Sequence, residues 1–355
     1  MSGFLINSTI TDIGTKSSNM TSIKDVAAEA GVSIATVSRV LHNKSYITPG
    51  VQARVLAAVQ KLGYRPNLVA RSLRLQQSTT IGLIVSDICN AFFTDVSRAV
   101  EDSAYEQGYS VLLGNSDGDE KKELIYLNEM YDKKVAGILL SPTKKTCENF
   151  NKLPVKVPMV VYDRLAQGCD VDSITIDNDN AAYLLTKHLI ANGYQQIAGV
   201  FSNEITGIER RKGFEKALNE AGFKQPQIEI VSSKVSMGHD GTIKCLNQTP
   251  RPDAILAADN LLLEGAMQAI IELGLKIPDE LGLAGFDDVT WMSLVQPPIT
   301  VIRQPTDEIG RLAIELLIRR IEDPTRPPLQ VLLQSQLIIR GSSRPRGAFK
   351  SPDPL

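Results

Sequence analysis

From Thr80 onward, short apolar runs and amphipathic stretches take turns for roughly 260 residues. The runs are "TIGLIVSDI", "YSVLLGNS", "VAGILLSP", "VPMVVYDR", "QIAGVFSN", "DAILAADN" and "LGLAGFDD". Helical patterns fall at 93–107, 119–134, 179–192, 207–222, 237–248, 261–274 and 305–322. Near-continuous apolar strands are buried on both faces. Strands of that kind alternating with helices predict parallel sheets covered on both sides. The span is too long for one small sheet, so two similar doubly wound lobes are expected. No short-period repeat is evident.

Ahead of Thr80 the pattern differs. Three short helices are expected within 22–62. "SIKDVAAEAG" has Ser22 as its cap and Gly31 as its stop. "SIATVSRVLHN" follows almost at once, with Ser33 as its cap. "TPGVQARVLAAVQKLGY" has Thr48 as cap, Pro49 in its first turn and Gly63 as stop. Two helices joined by a tight turn containing glycine make a helix-turn-helix. Ala27, Ala28, Val32, Val37 and Val40 are the small apolar residues expected at the crossing. Pro66 and Asn67 then open a short connecting helix that ends in the polar run "QQSTT".

Charge separates the two parts. Thr21 to Arg74 holds eight basic and two acidic residues, a net +6 in a chain of net −2, so the rest carries −8. A basic end on an acidic body predicts a polyanionic partner for that end. Cys89, Cys147, Cys169 and Cys245 are scattered and form no CxxC pair, which fits reduced thiols in a cytoplasm. No apolar run is long enough for a transmembrane helix, so no membrane partner is expected. The N-terminus lacks the pattern of a secretory signal. Residues 1–20 read as a disordered Ser/Thr/Asn-rich tail, with Met20 a candidate start.

The second helix is unusually rich in hydroxyls for a core element. As a recognition helix it would turn Ser33, Ile34, Ala35, Thr36 and Arg39 toward base edges and phosphates of a major groove. Hydroxyls bond either group, and an arginine can bind guanine through two hydrogen bonds. A plain solvated face is the competing reading, and the +6 segment weighs against it.

The run "TSIKDVAAEAGVSIATVSRVLHNK…ITPGVQARVLAAVQKLGYRPNLVARSLR" resembles the headpiece of the LacI/GalR repressors nearly position by position. The likeness extends to about Ser343. It implies that Ile34 and Ala35 select operator bases, while Thr36, Ser38 and Arg39 make phosphate and base contacts. It also implies that Asn67 to Leu73 forms a hinge helix on the operator. Leu73 would be the wedge that enters the minor groove, and small Ala70 would let paired hinge helices approach. A homodimer on an approximately palindromic operator in double-stranded DNA follows, because two tethered heads multiply the affinity of one. The division is then a tail (1–20), a headpiece (21–65), a hinge helix and linker (66–78), an effector-binding and dimerisation body (79–344) and a flexible tail (345–355). The family's topology places lobe crossings near 176–179, 303–305 and 330–335. "RPRGAFKSPDPL" has no apolar heptad to support a coiled coil.

In parallel sheets, ligands bind beyond the carboxyl ends of the strands. The polar and aromatic residues at those ends are Asn90, Phe92 and Phe93, Asp163 and Arg164, Asp259 and Asn260, and Asp287. Arg210 opens the helix "ERRKGFEKAL", and Gln304 ends "ITVIRQP". Carboxylates, amides and arginines beside an aromatic pair suit a sugar, whose hydroxyls pair with fixed donors and acceptors. Each also has a plainer role available, as a helix cap, turn residue or core side chain. "NAFF", "YDR" and "ERRKGF" are similar to periplasmic ribose-binding proteins and ribose repressors. That resemblance implies Phe92, Asp163, Arg164, Arg210, Asp287 and Gln304 as sugar contacts, with Asn90 and Asn260 beside them. "ADN" departs from the commoner Asn-then-Asp order. Ribose is the first candidate effector, and a sugar acid or a purine or nucleoside are alternatives.

Two other classes compete. A sugar-binding transport component would leave the basic head unused. A nucleotide-dependent enzyme would need a phosphate loop, and neither G-x-G-x-x-G after the first strand nor G-x-x-x-x-G-K-[ST] occurs. The expectation is a non-enzymatic regulator without cofactor or metal.

Overall fold

The computed structural model describes residues 22–41, 47–64, 78–164, 171–223 and 225–345. The chain separates into two compact units, divided between Gln77 and Ser78. The N-terminal tail, nearly all of the 66–78 connector with Asn67, Ala70 and Leu73, and all but Pro345 of the C-terminal tail lie outside the described residues.

The first unit is three helices: α1 (Ile23–Ala30), α2 (Ile34–Leu41) and α3 (Pro49–Leu62). Ser22 and Asp25 form a reciprocal capping box at the start of α1. Gly31 ends that helix at φ +62°, a left-handed conformation that glycine adopts without strain, and this permits the tight turn into α2. Val26, Ala27, Ala30, Val37, Val40, Val55 and Ala58 bury a small core. Ala28 is exposed, contrary to expectation. Each residue turns a helix by about 100°, so Ala28 and Glu29 face away from the surface shared by Ala27 and Ala30. Thr48 makes no capping hydrogen bond through its side chain, although Pro49 does open α3.

The second unit holds two six-stranded sheets. The first has the order β11-β5-β4-β3-β1-β2, built from β1 (Thr80–Val85), β2 (Ser110–Asn115), β3 (Gly137–Leu140), β4 (Met159–Tyr162), β5 (Asp172–Ile176) and β11 (Gln330–Leu333). All its pairings are parallel. The second has the order β12-β10-β9-β8-β6-β7, from β6 (Ile197–Ser202), β7 (Gln227–Val231), β8 (Ala254–Ala257), β9 (Gly282–Phe286), β10 (Thr300–Arg303) and β12 (Gln336–Ile338). Only β12 runs antiparallel. The two orders are the same pattern repeated, each doubly wound.

Helices α4 (Ala91–Glu106), α5 (Glu120–Asp132), short α6 (Lys144–Asn149) and α12 (Thr306–Glu322) belong to the first lobe. Helices α7 (Asn178–Ala191), α8 (Ile205–Glu220), α9 (Val235–Leu246), α10 (Asn260–Glu272) and short α11 (Thr290–Leu294) belong to the second. The chain changes lobes at Asp177, at Gln304–Pro305 and between β11 and β12. This is a helix-turn-helix head followed by two doubly wound parallel-sheet α/β lobes.

The seven apolar runs became β1–β4, β6, β8 and β9. The runs missed β5, β7, β11 and β12, and the short helices α6 and α11; β10 was read only as the segment "ITVIRQP" at whose end Gln304 lies. β5 reads "DSITI", whose polar letters hide a buried strand. Its Asp172 is fully buried and accepts hydrogen bonds from Arg320 Nε at 2.8 Å, Arg326 Nη2 at 2.6 Å and the Leu329 amide at 2.8 Å. Those bonds tie α12 and the approach to β11 onto the first sheet. Removing one member of a buried ion network costs about 3–5 kcal/mol, because the partner charges stay buried. Asp172→Ala should therefore lower unfolding stability by about 3 kcal/mol. An unchanged urea midpoint would show that Asp172 does not anchor this edge.

Candidate functional site

The carboxyl ends of both sheets meet in a cleft of about 490 Å³. Both sheets have their switch points there, between β1 and β3 and between β6 and β8, where doubly wound folds leave a crevice. Asn90 caps α4 after β1 by accepting the Phe92 amide at 3.0 Å. The rings of Phe92 and Phe93 meet edge to face at 5.0 Å, are buried in the first lobe's core and still line the cleft.

Asp163 follows β4 and Asp287 follows β9, equivalent positions in the two lobes. Both take left-handed backbone conformations, φ +70° and +67°, unusual for residues with a side chain. The shared turn aims each carboxylate into the cleft. Asp163 accepts the Ser141 hydroxyl at 3.2 Å and lies 3.0 Å from Arg164 Nε. Arg164 donates to the Pro142 carbonyl and to Glu204 Oε2, each at 3.2 Å. Beneath them, buried Glu123 accepts the Thr143 amide at 2.7 Å and the Thr143 and Thr146 hydroxyls. It thereby fixes the 141–143 loop that carries both contacts.

In the second lobe, Asp287 accepts Gln304 Nε2 at 2.6 Å and Asn260 Nδ2 at 2.7 Å. The same Asn260 nitrogen donates to Asn90 Oδ1 at 2.8 Å, across the lobes. Arg210 donates to Asn178 Oδ1 at 2.8 Å and the Ala258 carbonyl at 2.6 Å, and its guanidinium stacks 4.2 Å above Phe286. Gly213 makes this possible: a Cβ there would sit 1.9 Å from the Asp179 carbonyl, so only glycine lets α8 approach α7 and bring Arg210 to Asn178.

Asn90, Phe92, Asp163, Arg164, Arg210, Asp287 and Gln304 thus line one cleft. Asp259 lines it too, and it caps α10 by accepting the Leu262 amide at 2.8 Å. Asn260 is not a lining residue; it lies behind the surface, bonded to Asn90 and Asp287. Trp291 packs on the second lobe's core instead of lining the cleft. The sequence reading missed Asp87, Asp117, Glu204, Ser233 and Lys234. They follow β1, β2, β6 and β7. The rule used for Asp163 would have found the first three, but 233 and 234 were hidden with β7.

On α2, Ile34, Ala35 and Arg39 are exposed while Val37 and Val40 are buried. Ser33 caps the helix through the Thr36 amide at 3.2 Å, and the two hydroxyls lie 2.9 Å apart. Ser38 is half-buried. Lys61 on α3 is paired with Glu29 on α1 at 2.6 Å, so part of the basic head's charge is used internally. Among the described residues no His, Cys, Asp and Glu group is placed to hold a metal, and no helix is long and apolar enough to cross a membrane.

Residues 22–67 match the family described as bacterial regulatory proteins, lacI family, and residues 186–343 match a periplasmic binding protein-like domain. The chain is 34% identical over 331 residues to the ribose operon repressor of Escherichia coli K12, covering 91% of this chain and 100% of that protein. It is 36% identical to the HTH-type transcriptional regulator RegA of Clostridium saccharobutylicum, covering 91% and 99%. Among solved structures, the lac repressor dimer bound to operator and the anti-inducer ONPF matches with a TM-score of 0.81 at 26% identity, covering 91% of this chain and 99% of that one. A complex of the transcriptional regulator CelR with cellobiose matches at 0.67 and 26% identity, with the same coverage. The head and body together are those of a DNA-binding transcription regulator with a small-molecule-binding core. The chain belongs to the lacI family of bacterial regulatory proteins.

Burial pushes the carboxyls of Asp163, Asp259 and Glu209 above the usual range. For Asp163, Arg164 and Arg210 oppose the rise; for Asp259, hydrogen bonds from Leu262 and Ser233 oppose it; for Glu209, Asn178 and Arg210 do. A raised carboxyl contributes stability that is complete below its unfolded pKa, near ~4, and is lost as pH rises through its folded value. Asparagine caps helices as well as aspartate. Wild type should therefore gain melting temperature over Asp259→Asn when pH falls from about 7.5 to about 5. Parallel pH curves for the two proteins would show that Asp259 carries no burial penalty.

Proposed function

We propose that the protein is a ligand-responsive repressor that binds an approximately palindromic operator as a homodimer in the cytoplasm. A sugar-type effector in the interlobe cleft controls its affinity for DNA. The observation that carries this reading is the cleft itself: buried carboxylates, arginines and amides from both lobes face one space beside an aromatic pair. Such a site pairs with hydroxyls and rejects analogues that lack them, since its own polar groups would be stranded.

On this reading Asn90, Phe92, Asp163, Arg164, Arg210, Asp287 and Gln304 contact the effector, with Asn260 supporting Asn90 and Asp287. Ribose is the first candidate, supported by the ribose operon repressor of E. coli among the relatives. Ile34 and Ala35 read bases, and Ser33, Thr36, Ser38 and Arg39 hold the backbone and base edges. Asn67, Ala70 and Leu73 form the hinge. The match to an operator-bound dimer supports two heads on one operator. A transport component would leave the helix-turn-helix head without a use, and the regulator reading calls for no catalytic residue and no cofactor.

Binding to a palindromic site should weaken with salt, with a log–log slope of about −0.9 per neutralised phosphate. Arg39→Ala should lower operator affinity by about 1–3 kcal/mol while leaving effector binding intact. Asp287→Ala, checked for folding by circular dichroism, should keep operator binding but lose its response to effector. Gel shifts with and without ribose test both. Operator affinity untouched by Arg39→Ala, or an effector response untouched by Asp287→Ala, would overturn the corresponding assignment.

A further inference from the structure

Glu204 comes from the loop after β6 in the second lobe, yet its carboxylate meets Arg164 of the first lobe. It makes no capping bond to α8, although it occupies the cap position. Its side chain stays 30% exposed, while that of Arg164 is 8% exposed. The buried guanidinium therefore lies between two carboxylates, Asp163 at 3.0 Å and Glu204 at 3.2 Å, and the three groups together carry a net negative charge.

This matters for any acid entering the cleft. A carboxylate or phosphate binds arginine best through two parallel N–H donors. Arg164 has Nη1 shared by Pro142 and Glu204, and its Nε lies 3.0 Å from the Asp163 carboxylate without donating a hydrogen bond. Arg210 has Nε and Nη1 held by Asn178 and Ala258. Either fork of Arg210 has one donor taken, and an anion reaching the Nε edge of Arg164 would lie against the Asp163 carboxylate. Among the described residues lining the cleft, six carboxylates accompany three cations, and the third cation is exposed Lys234. An anion entering there loses its water and meets like charges. A hydroxyl needs only one donor or one acceptor, and the cleft supplies both.

We propose that Glu204 is the charge filter of the cleft: by taking Arg164 from across the lobes, it commits the site to uncharged polyols and turns away sugar acids and sugar phosphates. This rests on reading the cleft as the effector site, and it separates ribose from the sugar-acid alternative. Specificity here comes from a built-in repulsion as much as from attraction.

The test is titration calorimetry of the full-length protein and Glu204→Gln with ribose, ribonate and ribose 5-phosphate. Glutamine keeps the shape and removes the charge. Wild type should bind ribose and give no measurable heat with either anion. Glu204→Gln should bind ribonate at least tenfold tighter than wild type, about 1.4 kcal/mol, with ribose affinity altered less than about threefold. An unchanged ratio of ribonate to ribose affinity in the variant overturns the filter, as does tight binding of ribonate by wild type. Inorganic phosphate provides an arm that does not depend on sugar: it should raise the melting temperature of Glu204→Gln more than that of wild type. If no sugar binds either protein but this phosphate difference appears, the effector reading fails and the filter stands. Equal phosphate shifts overturn the filter whatever the sugar does.

Discussion

One amide holds the cleft together. Asn260 Nδ2 has two hydrogens, and it gives one to Asn90 of the first lobe and one to Asp287 of its own. Gln304, at a crossing between lobes, supplies the second bond to Asp287. All four side chains are buried, so each would carry a desolvation cost without its partners. The result is a polar chain running from one lobe, through the cleft floor, to the strand that leads back again. Buried networks of this kind are rigid when every member is satisfied and costly when one is not. The lobes are therefore connected by hydrogen bonds that lie directly under the ligand space.

The two lobes reach this arrangement by the same backbone device. β4 and β9 occupy equivalent positions in their sheets, each ends in an aromatic residue, and each is followed by an aspartate with positive φ. Tyr162-Asp163 and Phe286-Asp287 are the same aromatic–aspartate step at equivalent places in the two lobes. The partners differ. Asp163 has an arginine and a serine, whereas Asp287 has two amides. The first lobe thus contributes a charged triad with Glu204, and the second a neutral hydrogen-bonding set. On the proposed reading, that asymmetry gives a small polyhydroxylated ring two different edges to meet.

Much of this was legible before any coordinates. Apolar runs of strand length identify β1, β3, β4, β6, β8 and β9 because central parallel strands must be hydrophobic on both faces. Their carboxyl ends then point to Asp163, Arg164 and Asp287. What stayed hidden has one physical origin. A strand can bury polar side chains when distant partners satisfy them, and sequence shows the polar letter without the partner. Asp172 in β5 is satisfied by Arg320 and Arg326, roughly 150 residues away. β7 and β12 lie at sheet edges, where alternation is weak and the runs are short. Missing β7 also concealed Ser233 and Lys234. Asn260 was legible as a site residue, but its place behind the surface depends on the pairing with Asn90, 170 positions earlier. The head was easier, since its elements and turn are local, although Thr48 makes no side-chain cap and Ala28 faces away from the buried surface of α1.

The network also bounds how strongly a ligand can act. A ligand shifts a conformational equilibrium only by its difference in affinity for the two states. On the proposed reading, most of the polar groups facing the cleft already have partners, so an entering hydroxyl largely exchanges one hydrogen bond for another and gains little from each. The net difference must come from water displaced and from the few donors and acceptors still open on Arg164, Arg210 and the carboxylates. Coupling of about 1–3 kcal/mol is the scale such exchanges support, which corresponds to roughly 5–150-fold in affinity. On the proposed reading linkage makes this reciprocal: whatever preference an effector has for one arrangement of the lobes, operator binding would return to the effector site with the same magnitude. Because Asn260 touches both lobes, a ligand that draws Asp287 or Asn90 toward itself perturbs the bond between them. On the proposed reading the cleft needs no separate lever to make its occupancy felt, because the hydrogen bonds that join the lobes lie beneath the ligand space.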